Sequence, residues 1–187
     1  IEPEYPEAYF NLGTAHQDLG QLDDAVASYE KALAIKPEYR EAHVNLGNAF
    51  IYQGRLDDAV ATFHKALAIK PDSAVTHSNL GNALKDLGRL DDAVASYEEA
   101  LAIQPDYPEA LVNLGTALQE LGQPDDAVAS YEKALAIKPD FPEAHYNLGL
   151  ALKEIRRLED AAASLQEALA LDPDFAVAHG DLGHVFK

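Results

Sequence analysis

The 187 residues contain no cysteine and no methionine. Without cysteine there is no disulfide and no thiolate nucleophile or ligand; the compartment is not identified by this, and a cytoplasmic one is favoured. Without methionine the natural start is missing, so the expectation is a segment cut from a longer array. No apolar run approaches the eighteen or so residues of a membrane span, and no signal peptide is visible, though a cut segment would have lost one. Basic residues are scarce: 14 Lys and Arg face 32 Asp and Glu, for a net charge of -18. That field repels a phosphate backbone and argues against nucleic acid as a partner. It either keeps the chain soluble or selects basic partners. No phosphate loop, nucleophile motif or glycosylation sequon is present.

What is present is repetition. Shifting the chain by 34 residues lays it on itself: Leu-Gly recurs at Leu12-Gly13, Leu46-Gly47, Leu80-Gly81, Leu114-Gly115, Leu148-Gly149 and Leu182-Gly183. Alanine follows at Ala25, Ala59, Ala93, Ala127 and Ala161, then Tyr29, Phe63, Tyr97, Tyr131 or Leu165. A second alanine (Ala32, Ala66, Ala100, Ala134, Ala168) and a proline (Pro37, Pro71, Pro105, Pro139, Pro173) complete each unit. Full units span 6–39, 40–73, 74–107, 108–141 and 142–175; residues 1–5 match the tail of a preceding unit and 176–187 begin a sixth.

Each unit reads as two antiparallel helices. In the second unit the spacing of Ala42, Leu46, Ala49 and Phe50 predicts a helix from about Glu41 to Gln53. Gly54 ends it in the left-handed conformation, as do Gly20, Gly88 and Gly122. The fifth unit has Arg156 there, at a cost of about a kcal/mol or more, so its turn is expected to differ. The second helix opens on Asp57-Asp58, whose charges suit a helix start, and stops at Pro71. Pro6, Pro108 and Pro142 suit the first turn of the next helix. Leu46 and Phe63 are wedges; Gly47, Ala59 and Ala66 are gaps that admit a neighbouring helix to within about 8–10 Å.

A period of 34 with this residue order resembles the tetratricopeptide repeat family over essentially the whole chain. The resemblance implies an all-α, right-handed superhelical solenoid of antiparallel helix pairs, one array over 1–187 with a continuous spine. It also implies that the first helices line a concave side where partners lie, with the second, fifth, sixth, ninth, twelfth and thirteenth positions of each unit facing inward. Glu7, Glu41, Glu109 and Glu143, with Phe10, Val44, Ile51, Tyr52, Val112, Tyr146 and Leu150, then face the partner. So do Asn48 and Asn82. As single apolar residues these are ordinary surface; as a line they suit an extended guest with basic and apolar side chains.

The sixth position is asparagine in all five full units, Asn11, Asn45, Asn79, Asn113 and Asn147, with Asp181 in the sixth. Asparagine is a mediocre helix former, so propensity does not account for the row. Its amide offers a donor and an acceptor, the pair that one peptide unit presents. First helices about 10 Å apart would set one rung for every third residue of an extended chain. The alternatives are that the asparagines bond neighbouring helices, or that duplication copied them. A similar ladder, with the phrase Asn-Leu-Gly-Asn, marks the repeat region of O-GlcNAc transferase, which this region resembles.

Other chemistry is missing from the sequence. The lysine and arginine clamp that related cochaperones use for acidic chaperone tails is replaced by Phe10, Val44, Ser78, Glu41, Val75 and Glu109, so the expected partner is not acidic. His43, His77, His145 and His179 share the fourth position; units about 10 Å apart cannot share a metal with bonds near 2 Å, so packing is the expected role. His16, His64 and His184 have no zinc or catalytic spacing. The aspartate pairs recur at helix starts, which accounts for them without catalysis. No cofactor or metal is expected and no active site is read. Three functions remain: a non-catalytic scaffold holding an extended protein or peptide along the asparagine row; the substrate-recruiting repeats of a larger enzyme such as a glycosyltransferase; or a structural array self-associating end to end through apolar faces at Ile1, Tyr5, Val177, Leu182, Val185 and Phe186.

Overall fold

The structure is a computed structural model; residues 5–183 and 185 are described, so Ile1, His184 and Phe186 lie outside the described residues. The described chain is helical from end to end. First helices are α1 (Pro6–Asp18), α3 (Arg40–Tyr52), α5 (Ala74–Asp86), α7 (Pro108–Glu120), α9 (Pro142–Glu154) and the short α11 (Ala176–Leu182). Second helices are α2 (Leu22–Ile35), α4 (Leu56–Ile69), α6 (Leu90–Ile103), α8 (Pro124–Ile137) and α10 (Leu158–Leu171). They form two compact units, residues 1–103 with α1 to α6 and residues 104–187 with α7 to α11.

Local chemistry sets the helix boundaries. Pro6, Pro108, Pro124 and Pro142 stand at helix starts, where a missing N–H costs nothing. The aspartate pairs sit in the first turn of the second helices, and Arg55, Arg89 and Arg157 reach Asp58, Asp92 and Asp160 at 2.6–2.7 Å. These exposed pairs contribute little stability. The first helices α1, α3, α5, α7 and α9 each end in a double clasp of backbone bonds, in α3 from Gly54 N–H to the Ile51 carbonyl and from Arg55 N–H to the Phe50 carbonyl, both 2.9 Å. Gly54 has φ 72° in this clasp.

The turn after α9 does not differ from the others, contrary to the expectation from Arg156. Arg156 takes φ 65°, and Arg157 N–H bonds the Leu152 carbonyl at 2.9 Å as in the glycine turns. Packing of α9 on α10 holds the turn, and the arginine bears the strain.

Within each hairpin the packing rests on one contact. An ideal Cβ on Gly47 would lie 2.6 Å from Phe63 Cε1; the same clash arises between Gly13 and Tyr29, Gly81 and Tyr97, and Gly115 and Tyr131. A Cβ on Gly149 would lie 2.8 Å from Cγ of the smaller Leu165. The rings are buried, and Ala25, Ala59, Ala93 and Ala127 beside them are fully so. Within each unit hairpins stack by setting a second helix against the next first helix: α2 on α3 and α4 on α5 in one, α8 on α9 and α10 on α11 in the other. Of the apolar end positions, Tyr5 and Val177 are exposed, but Val185 is turned inward at 3% exposure and offers no face for association.

Two stability measurements check this account. Gly47→Leu should lower unfolding stability by about 1–3 kcal/mol in chemical denaturation, because Phe63 has nowhere to move; an unchanged midpoint would contradict the ring contact. Arg156→Gly should raise stability by about 1 kcal/mol by relieving the left-handed conformation.

Candidate functional site

First helices crowd together on one side of each unit: α1 touches α3, α3 touches α5, and α7 touches α9. No comparable contact joins α2 to α4, α4 to α6 or α8 to α10 among the described residues. Each unit therefore curves with its first helices inside, and the sixth-position asparagines lie on those helices.

The amides fall into different states. Asn45 Nδ2 donates to the Tyr29 hydroxyl at 3.4 Å, and Asn79 Nδ2 donates to Asn48 Oδ1 at 3.0 Å. Each is tied to the preceding hairpin by one N–H, while its Oδ1 accepts nothing among the described residues. Asn11 is exposed and Asn147 half-buried, and neither amide side chain has a hydrogen-bond partner among the described residues. Asn113 is half-buried on α7. Asp181 accepts from the Tyr146 hydroxyl at 2.8 Å, as its lack of a donor requires.

The hydroxyl that supports Asn45 comes from the core. Tyr29 is buried against Gly13, and its hydroxyl emerges on the inner face beside Thr14 at 3.4 Å and Gln17 at 3.1 Å, where it meets Asn45. In the next hairpin Phe63 has no hydroxyl, which leaves Asn48 Oδ1 to receive Asn79 instead. In the third, Tyr97 supplies a hydroxyl again and gives its proton to Asn82 Oδ1 at 2.7 Å. Tyr131 likewise meets Thr116 at 3.3 Å and Gln119 at 3.5 Å. Burial pushes the Tyr131 hydroxyl up to about 12; desolvation and the facing Asp181 carboxylate do the same for Tyr146.

The aromatic candidates divide. Phe10 packs on Tyr39 and Tyr29, with ring centres 5.1 and 5.9 Å away, and Tyr146 packs on Phe175 at 4.9 Å. Phe10 lines a cavity with residues of α3 and α5, and Tyr146 is held between Phe175 and Asp181. Tyr52 is 69% exposed. Phe10, Glu41, Val44, Asn45 and Val75 line one cavity of about 180 Å³, so α1, α3 and α5 do bring predicted inner-face residues together. The acidic row is less bare than the sequence suggests: Lys36 reaches Glu7 at 3.6 Å, Arg40 reaches Glu41 at 2.6 Å and Lys138 reaches Glu109 at 3.6 Å. Glu143 has Asp172 where Glu7 and Glu109 have lysine.

The fourth-position histidines act on the backbone. His43, His77, His145 and His179 each donate Nε2–H to the carbonyl of a proline six residues earlier, Pro37, Pro71, Pro139 and Pro173, at 2.8–3.0 Å. Each bond ties the turn between consecutive repeats to the helix that follows. Sequence reasoning gave these side chains a packing role and missed the bond, although the recurrent Pro-to-His interval of six was visible. His43 is 8% exposed, and its Nδ1 is buried without a partner among the described residues. Burial depresses its pKa against the opposing pull of the Pro37 carbonyl, and the Lys65 charge adds to the depression. Among the described residues no three His, Asp or Glu side chains gather as a metal site.

This geometry is that of an all-α stack of helical hairpins repeating every 34 residues. Two tetratricopeptide repeat profiles match the sequence, one over residues 72–140 and the other over 3–74 and 112–176. The chain belongs to the tetratricopeptide repeat family. Among solved structures, the protein MamA is similar at 27% identity, covering 91% of this chain and 93% of that one with a TM-score of 0.81. MamA from Desulfovibrio magneticus RS-1 superposes at 0.84 with 20% identity, covering 91% and 96%. YrrB, described as a tetratricopeptide repeat protein with an unusual peptide-binding site, superposes at 0.78 with 24% identity, covering 96% and 93%. Among curated proteins no relative matches. These likenesses establish the family, and not the narrower similarity to the repeat region of O-GlcNAc transferase.

The buried imidazole predicts a pH dependence. A histidine whose folded pKa lies below its unfolded value binds fewer protons when folded, so its contribution is full above about pH 6.5 and is lost as pH falls through the folded value. The parent should therefore lose more stability between pH 7.5 and 5.5 than His43→Gln, measured by denaturant unfolding at both pH values. Equal losses would mean that His43 is not held neutral.

Proposed function

We propose that this chain is a protein-interaction scaffold without chemistry of its own, holding an extended segment of its partner along the first helices through the asparagine row. The observation that carries the reading is the half-satisfied state of the amides. At Asn45 and Asn79 one N–H is spent on the preceding hairpin, which fixes the side chain, and a carbonyl oxygen and the second N–H remain for a guest. A side chain already oriented does not lose its rotamer freedom again on binding. What remains, one donor and one acceptor, is the complement of one peptide unit. The inner-face cavity beside Asn45, with Phe10, Val44 and Val75 on its walls, suits an apolar guest side chain.

The partner on this reading is a polypeptide, extended and not acidic. A net charge of -18 disfavours an acidic segment and a phosphate backbone alike. The peptide-binding site ascribed to YrrB fits a fold of this kind, although at 24% identity its own site residues do not transfer.

The test is a random peptide library displayed on phage, selected against the parent and measured again with two variants. Asn11→Ala with Asn147→Ala removes amides that bond nothing else among the described residues. It should weaken the selected peptides by about 0.5–1.5 kcal/mol per amide contacted, with an unchanged melting temperature. Asn45→Ala with Asn79→Ala should weaken them and also lower the melting temperature, because those amides serve the stack too. Peptide affinity unchanged in both variants, with only the second melting lower, would make the row a structural device.

A further inference from the structure

The thirteenth position of the repeat is acidic in four of the five full units, Asp18, Asp86, Glu120 and Glu154, and is Tyr52 in the second. That tyrosine is 69% exposed and lines a cavity of about 440 Å³ together with Gln17, Asp18, Gly20 and Leu22. A solitary exposed tyrosine is ordinary surface. This one stands beside a carboxylate over a shared hollow, and the other groups around it are already engaged. Gln17 Oε1 accepts the Tyr29 hydroxyl. Asp18 has no hydrogen-bond or ion-pair partner among the described residues, whereas Asp86 is held by Lys85 at 3.4 Å.

Arg55 does not fill the hollow as an internal cation, since it is committed to Asp58 at 2.7 Å and lies over the Phe50 ring at 4.2 Å. The C-terminal ends of α1 and α3 border the hollow, but α2 starts there at Leu22, so the helix dipoles offset one another and the charge of the site rests on Asp18. A free carboxylate and an exposed aromatic ring meet at one place. Each favours a cation, and a planar guanidinium uses the ring and the carboxylate together better than an ammonium does.

We infer that the hollow between Asp18 and Tyr52 is a subsite for an arginine side chain of the bound segment. The inference rests on the proposed scaffold reading for its guest, and it names the guest residue that the first two repeats select. A segment with its main chain on the asparagine row would send this arginine to the rim of the inner face at the ends of α1 and α3. Acidic or neutral side chains in that register would be refused by the unpaired carboxylate or would leave it uncompensated.

The probe is N-acetyl-arginine amide, titrated at low ionic strength into the isotopically labelled full chain and followed by amide NMR shifts. N-acetyl-citrulline amide, of nearly the same shape without the charge, is the control. Arginine should give a saturable response centred on Asp18, Gly20, Leu22 and Tyr52, and citrulline should not. Tyr52→Ala and Asp18→Asn, which melt as the parent does because both side chains are exposed, should each weaken the arginine probe by about threefold or more. The Asn11→Ala, Asn147→Ala variant should bind the probe like the parent while losing peptides, which separates this subsite from the row. The subsite is overturned if binding does not saturate, if citrulline binds equally, or if the two variants leave the affinity unchanged.

Discussion

The contact between a glycine on each first helix and a large side chain on its partner is the constraint from which the rest of the structure follows. With no Cβ at Gly13, Gly47, Gly81 or Gly115, an edge of an aromatic ring packs directly against the helix backbone, and the two helices of a hairpin close together. That closeness sets the short turn between them. The turn in turn demands a left-handed residue, and the fifth repeat supplies one even where the residue is Arg156. The hairpin geometry is dictated by packing, and the turn sequence accommodates it.

The same ring couples the core to the inner face. Tyr29, Tyr97 and Tyr131 lie buried along their length with the hydroxyl at the surface of the first helices. One residue thus fills the hairpin and places a polar atom next to the asparagine row. Where the ring is Phe63 the hydroxyl is missing, and the amides pair with each other instead. A single hydroxyl at a core position therefore decides which donors and acceptors stand along the first helices. This coupling is a reason for the row to be uneven: equivalent asparagines in successive repeats have different partners.

Much of the architecture was legible in the sequence because it depends on residue type at fixed intervals. The period, the helix pairs, the glycine gaps, the proline stops and the row of asparagines are all intervals, and they are where the pattern put them. Less legible were features settled by distances of a few ångströms. Whether Asn79 meets a tyrosine or another asparagine depends on one hydroxyl in the core of the neighbouring hairpin. That Glu7 and Glu109 carry lysine partners follows from how α2 and α8 end, and Asp172 at the equivalent place in the fifth repeat breaks the rule. The histidine-to-proline bonds were missed because an interval of six shows that two residues recur together, and not that a ring nitrogen reaches a backbone carbonyl. The turn at Arg156 was misjudged because the strain was weighed by itself, apart from the packing that enforces it.

The links between hairpins have a kinetic consequence. Within each unit, pairs of helices lean on their immediate neighbours, and the histidine that locks a joint lies six residues from the carbonyl it holds. Few of the stabilising contacts require distant parts of the chain to find one another, so ordering can begin at any well-formed hairpin and spread by accretion. A weakened joint then yields locally, and fraying in such a chain begins wherever the neighbour on one side contributes least.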